Sequence, residues 1–186
     1  MQKFLLKLLE EMEKESQAFW SVPRTTAVFL NMMVKIADAR KVLEIGTSNG
    51  YSGIYLAEAL SGQQGMLTTV ESHKQRYALA RKNFEKSGLS SFIEQVFGHA
   101  PEVLKDLVHP FDFIFLDATK LEYRSYAEIL VPQLKSGGLL IADNCVSHQH
   151  EMKDYLDFVI HNEELQSVLL PFDNGLMLSR KLGDRL

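Results

Sequence analysis

The sequence predicts a doubly wound α/β fold: a mostly parallel sheet with helices on both faces, and an antiparallel hairpin strand at its C-terminal end. Three observations predict it. From Lys41 onward, short runs rich in β-branched and aromatic residues alternate with helical patterns; the first run ends in a glycine-bearing turn; and the last two flank Pro171-Phe172-Asp173-Asn174-Gly175. Such alternation implies parallel strands joined by right-handed helical crossovers. A short turn between two β-rich runs implies a hairpin.

The elements follow in order. Phe4, Leu5, Leu8, Leu9 and Met12 recur at helical spacing among charges and predict an amphipathic first helix. Pro23 opens a second helical pattern, Arg24 to Ala39, in which Val28, Phe29, Met32, Met33 and Ile36 share one side. Strands are expected at Val42–Ile45, Met66–Val70, Phe92–Phe97, Phe111–Leu116 and Leu139–Ala142. Ser167–Leu170 and Leu176–Lys181 form the hairpin. Neither a repeat nor a linker interrupts the chain, so residues 1–186 are expected to form one domain, with the helices of 1–39 packing on it.

Composition narrows the function classes. Apolar residues make up 46% and charged residues 24%, ordinary values for a globular chain. A net charge of −4 argues against nucleic acid as the partner and favours a small molecule. Cys145 is the only cysteine, which excludes an intramolecular disulfide or a cysteine-based zinc cluster and fits the cytoplasm. Charges interrupt the N-terminal apolar residues, and no segment has the apolar length of a membrane span, so no membrane partner is expected.

The strongest local signal is Glu44-Ile45-Gly46-Thr47-Ser48-Asn49-Gly50-Tyr51-Ser52 at the end of the first strand. Glycines here permit a tight turn and close approach of a ligand, and the helix starting near Gly50 offers free N–H groups to an anion. Ser48 stands where a dinucleotide fingerprint requires glycine, which weighs against a nicotinamide oxidoreductase. Glu71, followed by Ser72, lies about 20 residues on, where a carboxylate accepts hydrogen bonds from ribose hydroxyls. The third strand exits at Gly98-His99-Ala100, where the base of a nucleoside cofactor is expected.

Strands four and five deliver Asp117 and Asp143-Asn144 at their C-terminal ends. Neighbouring strands lie ~4.8 Å apart, so these three oxygen-bearing side chains can reach one ion. Two carboxylates and an amide suit a hard cation, magnesium first, with calcium or manganese as alternatives. Taken singly, Asp117 reads as a helix cap and Asp143-Asn144 as a turn; their joint placement favours a site. Lys120 is the candidate base at the rim. Tyr123 and Tyr126 are expected to pack on the sheet or line the pocket, His148 and His150 to lie on the surface, and Cys145 to be buried and inert.

Over nearly the whole chain from about Val22, these motifs resemble the catechol and caffeoyl-CoA type O-methyltransferases, especially short bacterial ones. Leu43-Glu44-Ile45-Gly46 with Gly50-Tyr51-Ser52 resembles their cofactor turn; Phe115-Leu116-Asp117-Ala118-Thr119-Lys120 with Tyr123, and Asp143-Asn144, resemble their metal strands. The resemblance implies a Rossmann-like class I methyltransferase fold and S-adenosylmethionine as cofactor. It implies cofactor contacts at Glu44, Gly46, Thr47, Ser52, Glu71 and Ala100, extended to Ser72, His99 and Asp117, with the backbone around Val22 closing over the site. It also implies a divalent cation on Asp117, Asp143 and Asn144, a hydroxylated small-molecule acceptor deprotonated with help from Lys120, and a homodimer as a compatible assembly. Two features depart from the family pattern: His99 stands where an acidic residue is frequent, and the segment after Asn144 is short, which suggests an open acceptor site or one completed by another subunit. The competing readings are a non-catalytic S-adenosylmethionine-binding or regulatory module, a metal-independent methyltransferase, and the disfavoured nicotinamide enzyme.

Overall fold

A computed structural model describes residues 3–107 and 110–183. Three N-terminal helices, α1 (Lys3–Glu13), α2 (Ser16–Phe19) and α3 (Arg24–Ile36), precede the alternating part. There β1 (Lys41–Ile45), α4 (Tyr51–Ser61), β2 (Met66–Glu71), α5 (Lys74–Ser87), β3 (Ile93–Phe97), α6 (Ala100–Val103), β4 (Phe111–Leu116), α7 (Tyr123–Leu130) and β5 (Leu134–Ala142) follow one another. Helix α8 (Lys153–His161) leads to the hairpin β6 (Leu165–Leu170) and β7 (Leu176–Lys181). Short 3₁₀ turns occupy Ser90–Phe92 and Lys120–Glu122.

Among the described residues, the strands form one sheet in the order β3-β2-β1-β4-β5-β7-β6. The first five run parallel, and β7 pairs antiparallel with both β5 and β6. The hairpin thus inserts β7 beside β5 and leaves β6 at the edge. Strand order reverses between β1 and β4, where crossovers leave to opposite faces and a crevice opens at the strand ends. Strand β5 starts five residues earlier than its apolar run suggests: Phe111 pairs with Leu134 but Phe113 with Leu139, a bulge that takes up the polar Lys135-Ser136-Gly137-Gly138 segment.

The sheet carries an apolar layer on each face. On one, Leu43 and Ile45 of β1 meet Tyr126 and Leu130 of α7 and Tyr155 and Val159 of α8. On the other, Val42 meets Leu30 and Val34 of α3 and Ile54 and Leu60 of α4, and Leu5, Leu9 and Met12 of α1 join this cluster. Alternation along β1 therefore places the next side chain on the Val42 side, Glu44, beneath α4.

Helix α3 buries Ala27, Leu30, Asn31 and Val34; of the apolar residues that share its other side, Phe29 and Met33 pack against the core, while Val28, Met32 and Ile36 are 40%, 53% and 71% exposed. The helix is apolar around most of its circumference, so periodicity does not choose a face. Asn31 does: its amide donates to Tyr55 O on α4 and to Glu58, both at 2.7 Å, and small Ala27 permits close approach. No helix among the described residues is long and apolar enough to cross a membrane.

Candidate active site

At the C-terminal ends of β1, β2, β4 and β5 lies a cavity of about 600 Å³. Its floor is the turn after β1. Gly46 adopts φ +102°, and a Cβ there would lie 2.0 Å from the carbonyl oxygen of Asp117. Only glycine lets the two strand-end loops approach this closely. Gly50 at φ +88° does the same beside Phe84, where a Cβ would meet the ring at 2.7 Å. Asn49 steadies the turn, its Oδ1 accepting from Tyr51 N at 3.2 Å and Ser21 Oγ at 3.3 Å.

Glu71 ends β2 with its carboxylate already oriented. Ser48 N donates to Oε2 at 2.8 Å and His73 N to Oε1 at 2.7 Å. Ser72 and Arg76 stand beside it on the cavity wall, with His99 and Ala100 across from the end of β3. Gly98 N donates to Glu71 O at 3.0 Å, which ties the β3 exit to the β2 end.

Register sets the opposite end. Leu116 pairs with Ala142, and Asp143 N donates to Leu116 O at 3.0 Å, so Asp117 and Asp143 leave neighbouring strands side by side. Asp143 is 1% exposed, and its Oδ1 is buried without a hydrogen-bond partner. Burial, reinforced by the negative charge of Asp117, pushes its carboxyl up to about 7. Asn144 lines the cavity at φ +66°, and its amide nitrogen donates to Ser147 Oγ at 3.5 Å. Lys120 Nζ donates to Asp117 Oδ1 at 2.9 Å and to the Tyr123 hydroxyl at 3.1 Å. That hydroxyl donates to Leu116 O and accepts from Ala118 N, so buried Tyr123 is the post that fixes Lys120 and the β4 exit.

The cavity thus gathers Gly46, Glu71, Ser72, His99, Ala100, Asp117, Lys120, Asp143 and Asn144 of the residues singled out from sequence. Val22, Glu44, Thr47 and Ser52 stand behind its wall rather than in it. Glu44 is fully buried, accepts from Thr69 Oγ1 at 2.6 Å, and through Thr69 reaches the Thr47 hydroxyl. Burial pushes its carboxyl up to about 7. It braces the turn from below. Tyr126 and His148 line the cavity, whereas Cys145 is buried, its thiol pushed by burial up to about 12. Sequence reasoning missed Phe19, Trp20 and Ser21, which bring the N-terminal helices over the mouth, and Arg76, whose guanidinium lies 4.4 Å from the Trp20 ring. Trp20, 72% exposed at the end of α2, was legible only as an aromatic interrupting a charged stretch.

Helices on both faces of this sheet, with the crevice at its switch point, define a class I methyltransferase fold. An O-methyltransferase family model matches residues 1–182, and the chain belongs to that family. The catechol O-methyltransferase of Niastella koreensis is 36% identical over 130 residues, 68% of this chain and 58% of that enzyme's length. Caffeoyl-CoA O-methyltransferase 1 of Zea mays is 30% identical over 190 residues, 88% of this chain and 73% of its own length. The O-methyltransferase of Bacillus cereus, solved with S-adenosylhomocysteine, superposes with a TM-score of 0.85 at 25% identity over 97% of this chain and 91% of its own.

Proposed function

We propose that the protein transfers a methyl group from S-adenosylmethionine to a hydroxyl of a small catechol-like diol, with a divalent cation, magnesium first, assisting. The observation that carries this reading is the convergence of Asp117, Asp143, Asn144 and Lys120 at one end of a cavity whose other end suits a nucleoside. Bound there, S-adenosylmethionine supplies a methyl group on a positively charged sulfur, an activated leaving group. Asp117, Asp143 and Asn144 would hold the cation, which would supply Lewis acidity toward a hydroxyl oxygen.

The donor set fits such an ion. Asp143 carries a buried oxygen with no partner, next to a second carboxylate that repels it. Two carboxylates and an amide oxygen would leave the remaining positions to water, as magnesium prefers. The protein's own work is alignment. Glu71, held by two backbone N–H groups, accepts from the ribose hydroxyls, and the Gly46 turn lets the cofactor lie against the backbone. Lys120, fixed by Asp117 and Tyr123, stands at the rim as the group that receives the hydroxyl proton. The bound cofactor would supply the methyl carbon to the oxygen, with the carbon–sulfur electron pair left on sulfur. Holding these groups in line supplies most of the acceleration such a reaction needs.

The test combines calorimetry with product detection on a 1,2-dihydroxybenzene. The wild-type protein binds S-adenosylhomocysteine and forms the monomethyl ether in the presence of magnesium. Asp143→Ala keeps the nucleoside affinity within about threefold, because it lies at the other end of the cavity, and loses at least about a hundredfold in kcat. Turnover that survives both Asp143→Ala and chelation would overturn the metal-assisted reading.

A further inference from the structure

His99 and Glu122 take no part in the methyl-transfer step above, yet they are joined, His99 on the cavity wall and Glu122 behind it. His99 follows Gly98, whose N–H is tied to the backbone of Glu71, so it stands one step from the carboxylate read as the ribose anchor. Its Nε2 lies 3.0 and 3.2 Å from the two carboxylate oxygens of Glu122, on the 3₁₀ turn beyond β4. Glu122 Oε2 is also held by the Tyr126 hydroxyl, so the carboxylate is fixed from a second side. His99 occupies the N-cap position of α6 but makes no side-chain bond to that helix. Among the described residues its Nδ1 therefore has no partner, and the ring lines the cavity.

A carboxylate only accepts hydrogen bonds, so in the neutral ring the proton must sit on Nε2, and Nδ1 is left as a bare acceptor. We infer that His99 reads the cofactor's nucleobase, with Nδ1 accepting from the exocyclic amine of adenine, and that Glu122 is the positioning residue that selects this tautomer. The inference rests on the reading of the cavity as an S-adenosylmethionine site. An acceptor-only atom favours an amine and disfavours a base carrying a carbonyl at the same position, because two acceptors then face each other. Without the carboxylate, the ring is free to place its proton on Nδ1 and donate to that carbonyl. Specificity of this kind arises from leaving a polar group unmatched as much as from making a bond.

The experiment compares S-adenosylhomocysteine with its deaminated analogue S-inosylhomocysteine, in which a carbonyl replaces the exocyclic amine and ring N1 gains a hydrogen, by calorimetry at one fixed alkaline pH. The wild-type protein prefers the adenine compound by about tenfold or more, the worth of one matched against one mismatched hydrogen bond. Glu122→Ala narrows the preference to within about threefold, chiefly by improving binding of the inosine compound relative to the adenine one. Glu122→Gln, whose amide oxygen still accepts from Nε2, restores most of it. His99→Asn, which presents both a donor and an acceptor, narrows it as well. A merely structural role would weaken both probes equally and leave the ratio unchanged, so an unchanged ratio in Glu122→Ala and His99→Asn overturns the inference. Both side chains are partly exposed, at 46% and 30%, and their replacement leaves the core untouched. If the wild-type protein binds adenine and inosine probes equally, this inference fails and the cofactor reading stands. If it binds neither, the cofactor reading fails and takes the inference with it.

Discussion

Replacing Glu44 by glutamine tests whether the buried carboxyl under the cofactor turn is neutral, and the size of the effect follows from its surroundings. Glu44 is fully buried, and its Oε2 accepts from Thr69 while Oε1 has no hydrogen-bond partner. Burial, aided by the charges of Asp117 and Glu71, raises its carboxyl from the ordinary 4.5 to about 7. A raised carboxyl contributes most below its unfolded value and loses that contribution as pH climbs through the folded one. The loss therefore runs from about pH 4.5 to a little above pH 7. At 1.36 kcal/mol per unit it amounts to about 3 kcal/mol, or on the order of 10 °C in Tm for a chain of this length. Glutamine keeps the shape and the acceptor for Thr69 and cannot ionise. Its second amide hydrogen lacks a partner, which lowers stability at every pH alike. The assay is Tm of the ligand-free protein, wild type and Glu44→Gln, between pH 5 and pH 8.5. The difference between the two curves shifts in favour of Glu44→Gln as pH rises, because every other titrating group cancels. Parallel curves would refute the argument and mean that the ionised carboxylate is solvated or paired.

Three further outcomes follow from the geometry. Gly46→Ala places a methyl 2.0 Å from Asp117 O at a φ of +102°, so the β4 exit must move; S-adenosylhomocysteine affinity falls at least about a hundredfold, and stability drops by about 3 kcal/mol or more in chemical denaturation. Tyr123→Phe removes the hydroxyl that receives Lys120 and Ala118 N–H, costing about 1–3 kcal/mol and reducing kcat roughly tenfold while cofactor affinity, read by calorimetry, stays within about twofold. Trp20→Ala removes a ring exposed at the mouth and stacked on Arg76, so Tm barely moves, the stability change being under about 1 kcal/mol, whereas KM for the acceptor rises.

The strands and the ends that carry chemistry were legible because a buried parallel strand is an uninterrupted apolar run, and the first polar residue after it marks the strand end. Phe111 to Leu116 ends at Asp117, and Leu139 to Ala142 ends at Asp143. Strands joined by one crossover helix usually lie side by side, so the ends of β4 and β5 are expected to be neighbours, and the sheet pairs them. Glu44, which the resemblance places among the cofactor contacts, is buried behind the cavity wall, a position that follows from alternation along β1. It shares a face with Val42, and a strand residue on that face points under α4 and away from the crevice. The inner face of α3 was not legible, since its choice depends on Asn31 finding an acceptor on α4, a contact 24 residues away. The His99–Glu122 link joins the exits of β3 and β4, which β2 and β1 separate in the sheet, and no local pattern announces it.

Four carboxylates crowd the strand ends, and the protein answers each differently. Glu44, sealed below the turn, is answered by the Thr69 hydroxyl, and burial raises its carboxyl to about 7. Glu71 is answered by two backbone N–H groups and stays open to the cavity. Asp117 is answered by Lys120, itself tethered to Tyr123. Asp143 receives least: it is buried, repelled by Asp117, and one of its oxygens has no partner. A group left in that condition lowers the stability of the fold unless something bound offsets it. Hydrophobic replacement at position 143 would be the cheaper solution for a protein that had only to fold. This buried carboxyl is the observation behind the metal-assisted reading proposed above, and the neighbours it keeps, a carboxylate and an amide with room for water, are donors that a small hard cation would accept.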